Sequence, residues 1–155
     1  MKILSQLLFF VFLLFPTSIF SANIEKGSWN LVKEDNYCFI GSLPVSSDIP
    51  EGKIRGDVYI LVYRINKDTD TIVQINSGYP YKNEEPVNIR IDKKNYEFYA
   101  DQDSAWTNND SEVIYAMKKG INLTVFGISS RGTKTIDTYT LNGFTTAYNQ
   151  LTKDC

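Results

Sequence analysis

The run from Gly127 to Cys155 limits the fold of this chain more than any other stretch. Ile121 to Ile128 and Thr135 to Leu141 are rich in β-branched and aromatic residues, and Ser130-Arg131-Gly132-Thr133 between them is a tight turn. A hairpin is the reading that fits. Phe144, Ala147, Tyr148 and Leu151 then recur at helical spacing, so a helix is expected from Gly143 to Lys153 with Asn142 as its cap. Cys155 continues the same face. A helix docked by that stripe would carry Cys155 toward the strand that bears Cys38.

The rest of the chain has the same β-rich rhythm. Ser28 to Val32 and Tyr37 to Ile40 read as a first hairpin, and Gly41 to Gly52, with Pro44 and Pro50, as a loop. Val58 to Ile65 is apolar on both faces, with Val58, Ile60 and Val62 on one and Tyr59, Leu61, Tyr63 and Ile65 on the other. A strand covered on both sides explains that pattern, and the run is too short to cross a membrane. Thr71 to Ile75 is its return strand. Val87, Ile89 and Ile91 alternate strictly with polar residues, and Tyr96 to Ala100 pairs with them. Asp101 to Asn109 reads as a polar loop. Asn109, Glu112, Lys118, Lys119 and Gly120 punctuate a helix with a capping box. The total is roughly eight strands and two short helices, a mostly antiparallel β sandwich or barrel with no βαβ rhythm.

At 155 residues the chain holds one domain. Lys2, the apolar run Leu7 to Phe15 and the small residues Ser21 and Ala22 form a signal-peptide pattern. Cleavage after Ser21 leaves a single domain over residues 22–155 and takes the formal charge from −2 to −3 through loss of Lys2. The uninterrupted apolar run is too short for an anchor, so the mature chain is not expected to span a membrane. Export makes a periplasmic or secreted location the expectation, and a Cys38–Cys155 disulfide the simplest use of two cysteines, with two separate buried thiols as the alternative.

Several functions are excluded or weakened. No basic stripe exists, so nucleic acid is not an expected partner. There is no histidine, which removes His-ligated metals and His-based triads. Gly127 to Thr135 resembles a phosphate loop only superficially, because Thr133 separates the second glycine from Lys134 and a strand follows. Arg55-Gly56-Asp57 matches an integrin-recognised tripeptide but runs into a strand. Asp101, Asp103, Asp110 and Glu112 cluster in sequence, and a glycosidase would use such carboxylates; solvated surface is the plainer reading. Arg131 and Asp137 flank the final turn and could pair. Tyr79, Tyr81 and Trp106 lie on expected loops, as candidate binding aromatics or as plugs for the ends of the core. No catalytic residue, cofactor or metal ligand is assigned.

Trp29, Cys38, Gly78-Tyr79-Pro80, Ala105-Trp106, Ser130-Arg131-Gly132-Thr133, Asp137-Thr-Tyr139-Thr-Leu141, Gly143-Phe144, Ala147 and Cys155 together resemble the invasion-associated locus B family of alphaproteobacterial exported proteins. The resemblance implies an immunoglobulin-like β-sandwich in the bacterial envelope, with Arg131-Gly132 as a turn and Asp137, Tyr139, Gly143 and Phe144 as structural signature positions. It supplies no catalytic residues. The function to expect is a non-enzymatic module that binds an envelope or extracellular protein or glycan. The alternatives are a small carbohydrate-active enzyme using loop carboxylates, and a structural or chaperone-like periplasmic factor.

Overall fold

The computed structural model describes residues 24–66 and 69–155. The expected signal peptide lies outside the described residues. Ten strands are hydrogen-bonded in one continuous order. They are β1 (Asn30–Lys33), β2 (Cys38–Ser42), β3 (Ser46–Asp48), β4 (Tyr59–Arg64), β5 (Ile72–Asn76), β6 (Val87–Ile91), β7 (Lys94–Asp101), β8 (Ser104–Trp106), β9 (Asn122–Ile128) and β10 (Lys134–Thr140). Helix α1 (Asp110–Lys119) lies between β8 and β9, and α2 (Phe144–Asp154) follows β10.

The order across the sheet is β1-β2-β4-β5-β8-β7-β6-β9-β10-β3, and every strand pairing is antiparallel. The sheet is curled into a half-barrel. This bears out the mostly β, antiparallel expectation with two helices. The strands do not establish an immunoglobulin-like sandwich of two separate sheets. The reason is β7, whose first half pairs with β6 and whose last three residues pair with β8, so the two halves of the sheet are never disconnected.

Alternation dictates which side faces in. Val87, Ile89 and Ile91 of β6 are buried while Asn88 and Arg90 between them are exposed, as the period of two requires. Ile40, Ile60, Val62, Val73, Ile75 and Ala105 from the other half of the sheet meet them in one core, with Val113 and Met117 of α1 and Phe144, Ala147 and Leu151 of α2. Each such large apolar side chain contributes about 1.5–3 kcal/mol on burial. The expected apolar stripe of the last helix is therefore the face that docks. Trp29 meets Phe144 edge-on at 4.9 Å and donates its indole N–H to the Thr140 carbonyl at 2.9 Å. Cys38 and Cys155 are bridged, with their Cα atoms 6.1 Å apart.

Several expectations need correction. Two three-residue strands were absent from the sequence reading. Ser46 to Asp48 falls within the expected proline-bounded loop, yet pairs with Ile136 to Thr138 as a sheet edge; the flanking prolines forbid only a central strand. Ser104 to Trp106 falls within the expected polar loop, yet is stitched between β5 and β7. Both helix caps also differ. Asn109 stands at the start of α1 without a side-chain cap, and the expected capping-box residue Glu112 pairs with Lys94 at 2.5 Å instead. Gly143, in the left-handed region at φ 84°, takes the cap position of α2 in place of Asn142.

Candidate functional site

The sequence-expected site residues separate into two groups. Tyr81 is 4 % exposed, and its hydroxyl is 2.5 Å from Ser77 Oγ, so it belongs to the core and is removed from any contact surface. Burial pushes its phenol well above the usual range. Tyr79 is half-buried, 5.5 Å edge-on from Tyr81, and its hydroxyl is 2.6 Å from Thr135 Oγ1. Tyr81 is part of the core and Tyr79 packs against it. The signature residues Phe144 and Tyr139 are fully buried, and Gly132 has the positive φ of 81° that the final turn demands.

Asp137 is fully buried and does not pair with Arg131. Its partner is Arg55, with contacts of 2.5 and 2.8 Å, and Ser47 donates to it at 2.7 Å. Arg131 stays exposed. The bidentate geometry, on side chains 9 % and 1 % exposed, makes this the most buried ion pair among the described residues. It also disposes of the Arg55-Gly56-Asp57 tripeptide as a recognition tip. Arg55 faces inward, and the Gly56 amide is bonded to the Gly78 carbonyl at 2.8 Å.

The clustered acids do not converge on a reaction centre. Asp110 accepts the Val73 amide at 2.8 Å, and desolvation raises its pKa despite that bond. Glu112 is an exposed partner of Lys94. Asp101 and Asp103 flank the exposed β7–β8 turn.

Trp106 has a different fate. Residues paired directly across neighbouring strands project from the same face of a sheet. Leu61 pairs with Gln74, Gln74 with Trp106, and Trp106 with Tyr99. All four side chains therefore stand in one row on the outer face, opposite the core. Tyr59 and Tyr63, two residues either side of Leu61, share that face, as does Phe39 opposite Tyr63. Ile24, Val32, Phe39 and Leu61 form a small second apolar cluster there, flanked by half-buried Tyr37, Tyr59 and Tyr63.

The cover is incomplete. A shallow groove of about 420 Å³ runs between Tyr37, Tyr59, Leu61, Tyr63, Ile65 and Gln74, and no charged residue lines it. Ile65 is 55 % exposed at one end, and Tyr99, 52 % exposed, lies 6.2 Å from the Trp106 ring at the other end of the row. Desolvation holds the Tyr37 and Tyr59 phenols above their usual range, so both are neutral hydrogen-bonding groups. The expected strand covered on both sides is thus sealed on its inner face only. The aromatic groove was missed because the second apolar face of Val58 to Ile65 was assigned to burial. Its three large residues, Tyr59, Tyr63 and Ile65, were the available signal.

Among the described residues, no helix is long and apolar enough to cross a membrane, and no three Asp, Glu or Cys residues group as metal ligands. The invasion-associated locus B (IalB) family model matches residues 45–152. The crystal structure of invasion associated protein B from Bartonella henselae is similar at a TM-score of 0.57 and 19 % identity, covering 81 % of this chain and 92 % of that one. At that identity the likeness concerns the fold alone. No curated protein sequence matches significantly. The matched span contains the Gly78-Tyr79-Pro80, Ala105-Trp106 and Ser130-to-Ala147 motifs, while Trp29, Cys38 and Cys155 fall outside it. This chain belongs to the invasion-associated locus B family.

Proposed function

We propose that the protein is an exported, non-enzymatic envelope module that docks a partner protein on the outer aromatic face of its sheet. The observation that carries this reading is the uncharged row from Tyr63 and Leu61 through Gln74 to Trp106 and Tyr99, left partly open beside a sealed core. Half-exposed tyrosines and a tryptophan offer large contact area at low conformational cost, and their polar tips keep the free face soluble. The aliphatic members Leu61 and Ile65 favour apolar protein side chains over a saccharide, which would use the rings and Gln74 alone. The location that fits is the periplasm or the cell exterior, supported by the Cys38–Cys155 bridge and by the signal-peptide pattern. The dispersal of Asp101, Asp103, Asp110 and Glu112 speaks against the glycosidase alternative.

The test is site-specific photo-crosslinking in the native envelope. A benzophenone amino acid at Tyr63 or Tyr99 is expected to trap one discrete protein adduct. The same probe at Tyr115, 59 % exposed on α1 and away from the row, is the control. Adducts of equal yield from all three positions would sink the docking face. An adduct with envelope glycan, competed by soluble saccharide, would replace the protein partner by a sugar.

A further inference from the structure

The opposite half of the sheet holds a second, chemically different concavity. The loop from Ile49 to Gly56, the Tyr79-Pro80 corner and the β9–β10 turn enclose a cleft of about 330 Å³. Three cations line it, Lys53, Arg55 and Arg131, and no Asp or Glu does. Arg55 is neutralised by Asp137 behind it, a pair that fixes the cleft floor. Among the described residues, Lys53 and Arg131 have no such partner, and neither side chain makes a hydrogen bond or ion pair. The turn requires Gly132 for its φ, but nothing in the fold requires an arginine beside it. The Ser130 and Thr133 hydroxyls are also uncommitted at this rim. Ile54 stands next to them, 97 % exposed.

On a chain of formal charge −2, two unpaired cations facing one cleft concentrate positive potential there. We propose that this cleft binds a phosphate group carried next to an apolar moiety. Lys53 supplies a mobile point charge, Arg131 a fork for two phosphate oxygens, and Ser130 and Thr133 hydroxyl donors. Ile54 covers the apolar neighbour of the phosphate. Two positive charges match a phosphate monoester better than a single carboxylate. The cleft is not a phosphate loop, since strands flank the turn on both sides; the side chains and their charge carry the inference. The ligand source is either a soluble phosphate monoester or a lipid headgroup.

The experiment is an amide-detected NMR titration of the folded, oxidised protein at constant ionic strength, with inorganic phosphate, octyl phosphate and octanoate as probes. Octyl phosphate is expected to saturate, shifting resonances of Lys53, Ile54 and Arg131, and to bind about tenfold more tightly than inorganic phosphate. Arg131→Gln is expected to weaken it about tenfold, and Lys53→Gln to a smaller degree, with the melting temperature unchanged in both. Phosphatidic acid vesicles, whose headgroup is a phosphate monoester, provide the second arm. Retention by vesicles that depends on Arg131 identifies a lipid headgroup; octyl phosphate binding without vesicle retention identifies a soluble ligand. The proposal is overturned if octyl phosphate fails to saturate, if octanoate binds equally well, or if the Lys53→Gln/Arg131→Gln double variant binds like the parent.

Discussion

The half-barrel is fastened at two places by opposite physics. On one side, α2 lies over β1 and β2 through Phe144, Ala147 and Leu151, and the Cys38–Cys155 bridge makes the closure covalent. On the other side, the loop before β4 and the short edge strand β3 are tied to β10 by Arg55 and Ser47 converging on Asp137. The first fastening is apolar and tolerant, because a docked stripe of side chains can readjust. The second is ionic and brittle, because each partner is stable in the interior only while the other is present. Sealing an end of the core with a buried charge pair makes that end depend on one geometry.

Breaking the ionic fastening should have the largest effect. Asp137→Ala leaves the Arg55 guanidinium buried without its countercharge and should cost about 3–5 kcal/mol in denaturant unfolding. The double variant Arg55→Met/Asp137→Leu should recover most of that loss; recovery by less than half would mean that the pair does more than neutralise itself. Removing the covalent fastening comes next. Cys38→Ser/Cys155→Ser should lose about 2–5 kcal/mol, since the bridge closes 117 residues of chain separation. Two free thiols in non-reducing mass spectrometry of the protein from its native source would remove the covalent part of this fastening and leave the apolar part.

A smaller effect is expected where the loop before β4 meets its anchor at Gly78. A Cβ at Gly78 would sit 2.5 Å from the Gly56 carbonyl oxygen, at a φ of +72°. Gly78→Ala should therefore cost roughly 1–3 kcal/mol and raise hydrogen exchange at the Gly56 amide. The smallest pair of effects sharpens the contrast inside the core. Tyr81→Phe breaks the bond to Ser77 and should cost about 1 kcal/mol, whereas Tyr139→Phe should be neutral or stabilising, because its buried hydroxyl has no hydrogen-bond partner. A thermal melt distinguishes the two. Equal losses would show that the Tyr139 hydroxyl has a partner in solution.

The apolar fastening was legible in the sequence and the ionic one was not, and the cause is the range of the signal. Phe144, Ala147 and Leu151 declare a helix face through spacing alone, and two cysteines leave one simple pairing. Asp137 was matched to Arg131, six positions away, because sequence proximity was the available guide; its partner lies 82 residues upstream, in a segment whose approach is set by the β3–β10 edge pairing. The same limitation governs the aromatic face. Period-two patterning identifies a strand with two apolar sides, but only the neighbours in the sheet decide whether the second side is covered. Trp106 stands beside Tyr99 and Gln74 across the ladder, companions that sequence spacing does not declare. Tyr81 belongs to the core instead, with Tyr79 packed against it.

The shared strand β7 has a mechanical consequence. The two halves of the sheet meet where its hydrogen-bond partner changes, between Phe98, paired to Val87, and Tyr99, paired to Trp106. Phe98 is locked in the core at 1 % exposure, while Tyr99 is the end ring of the outer row. The aromatic row therefore ends on the one strand that both halves share, so a partner gripping Tyr99 would hold the junction between them.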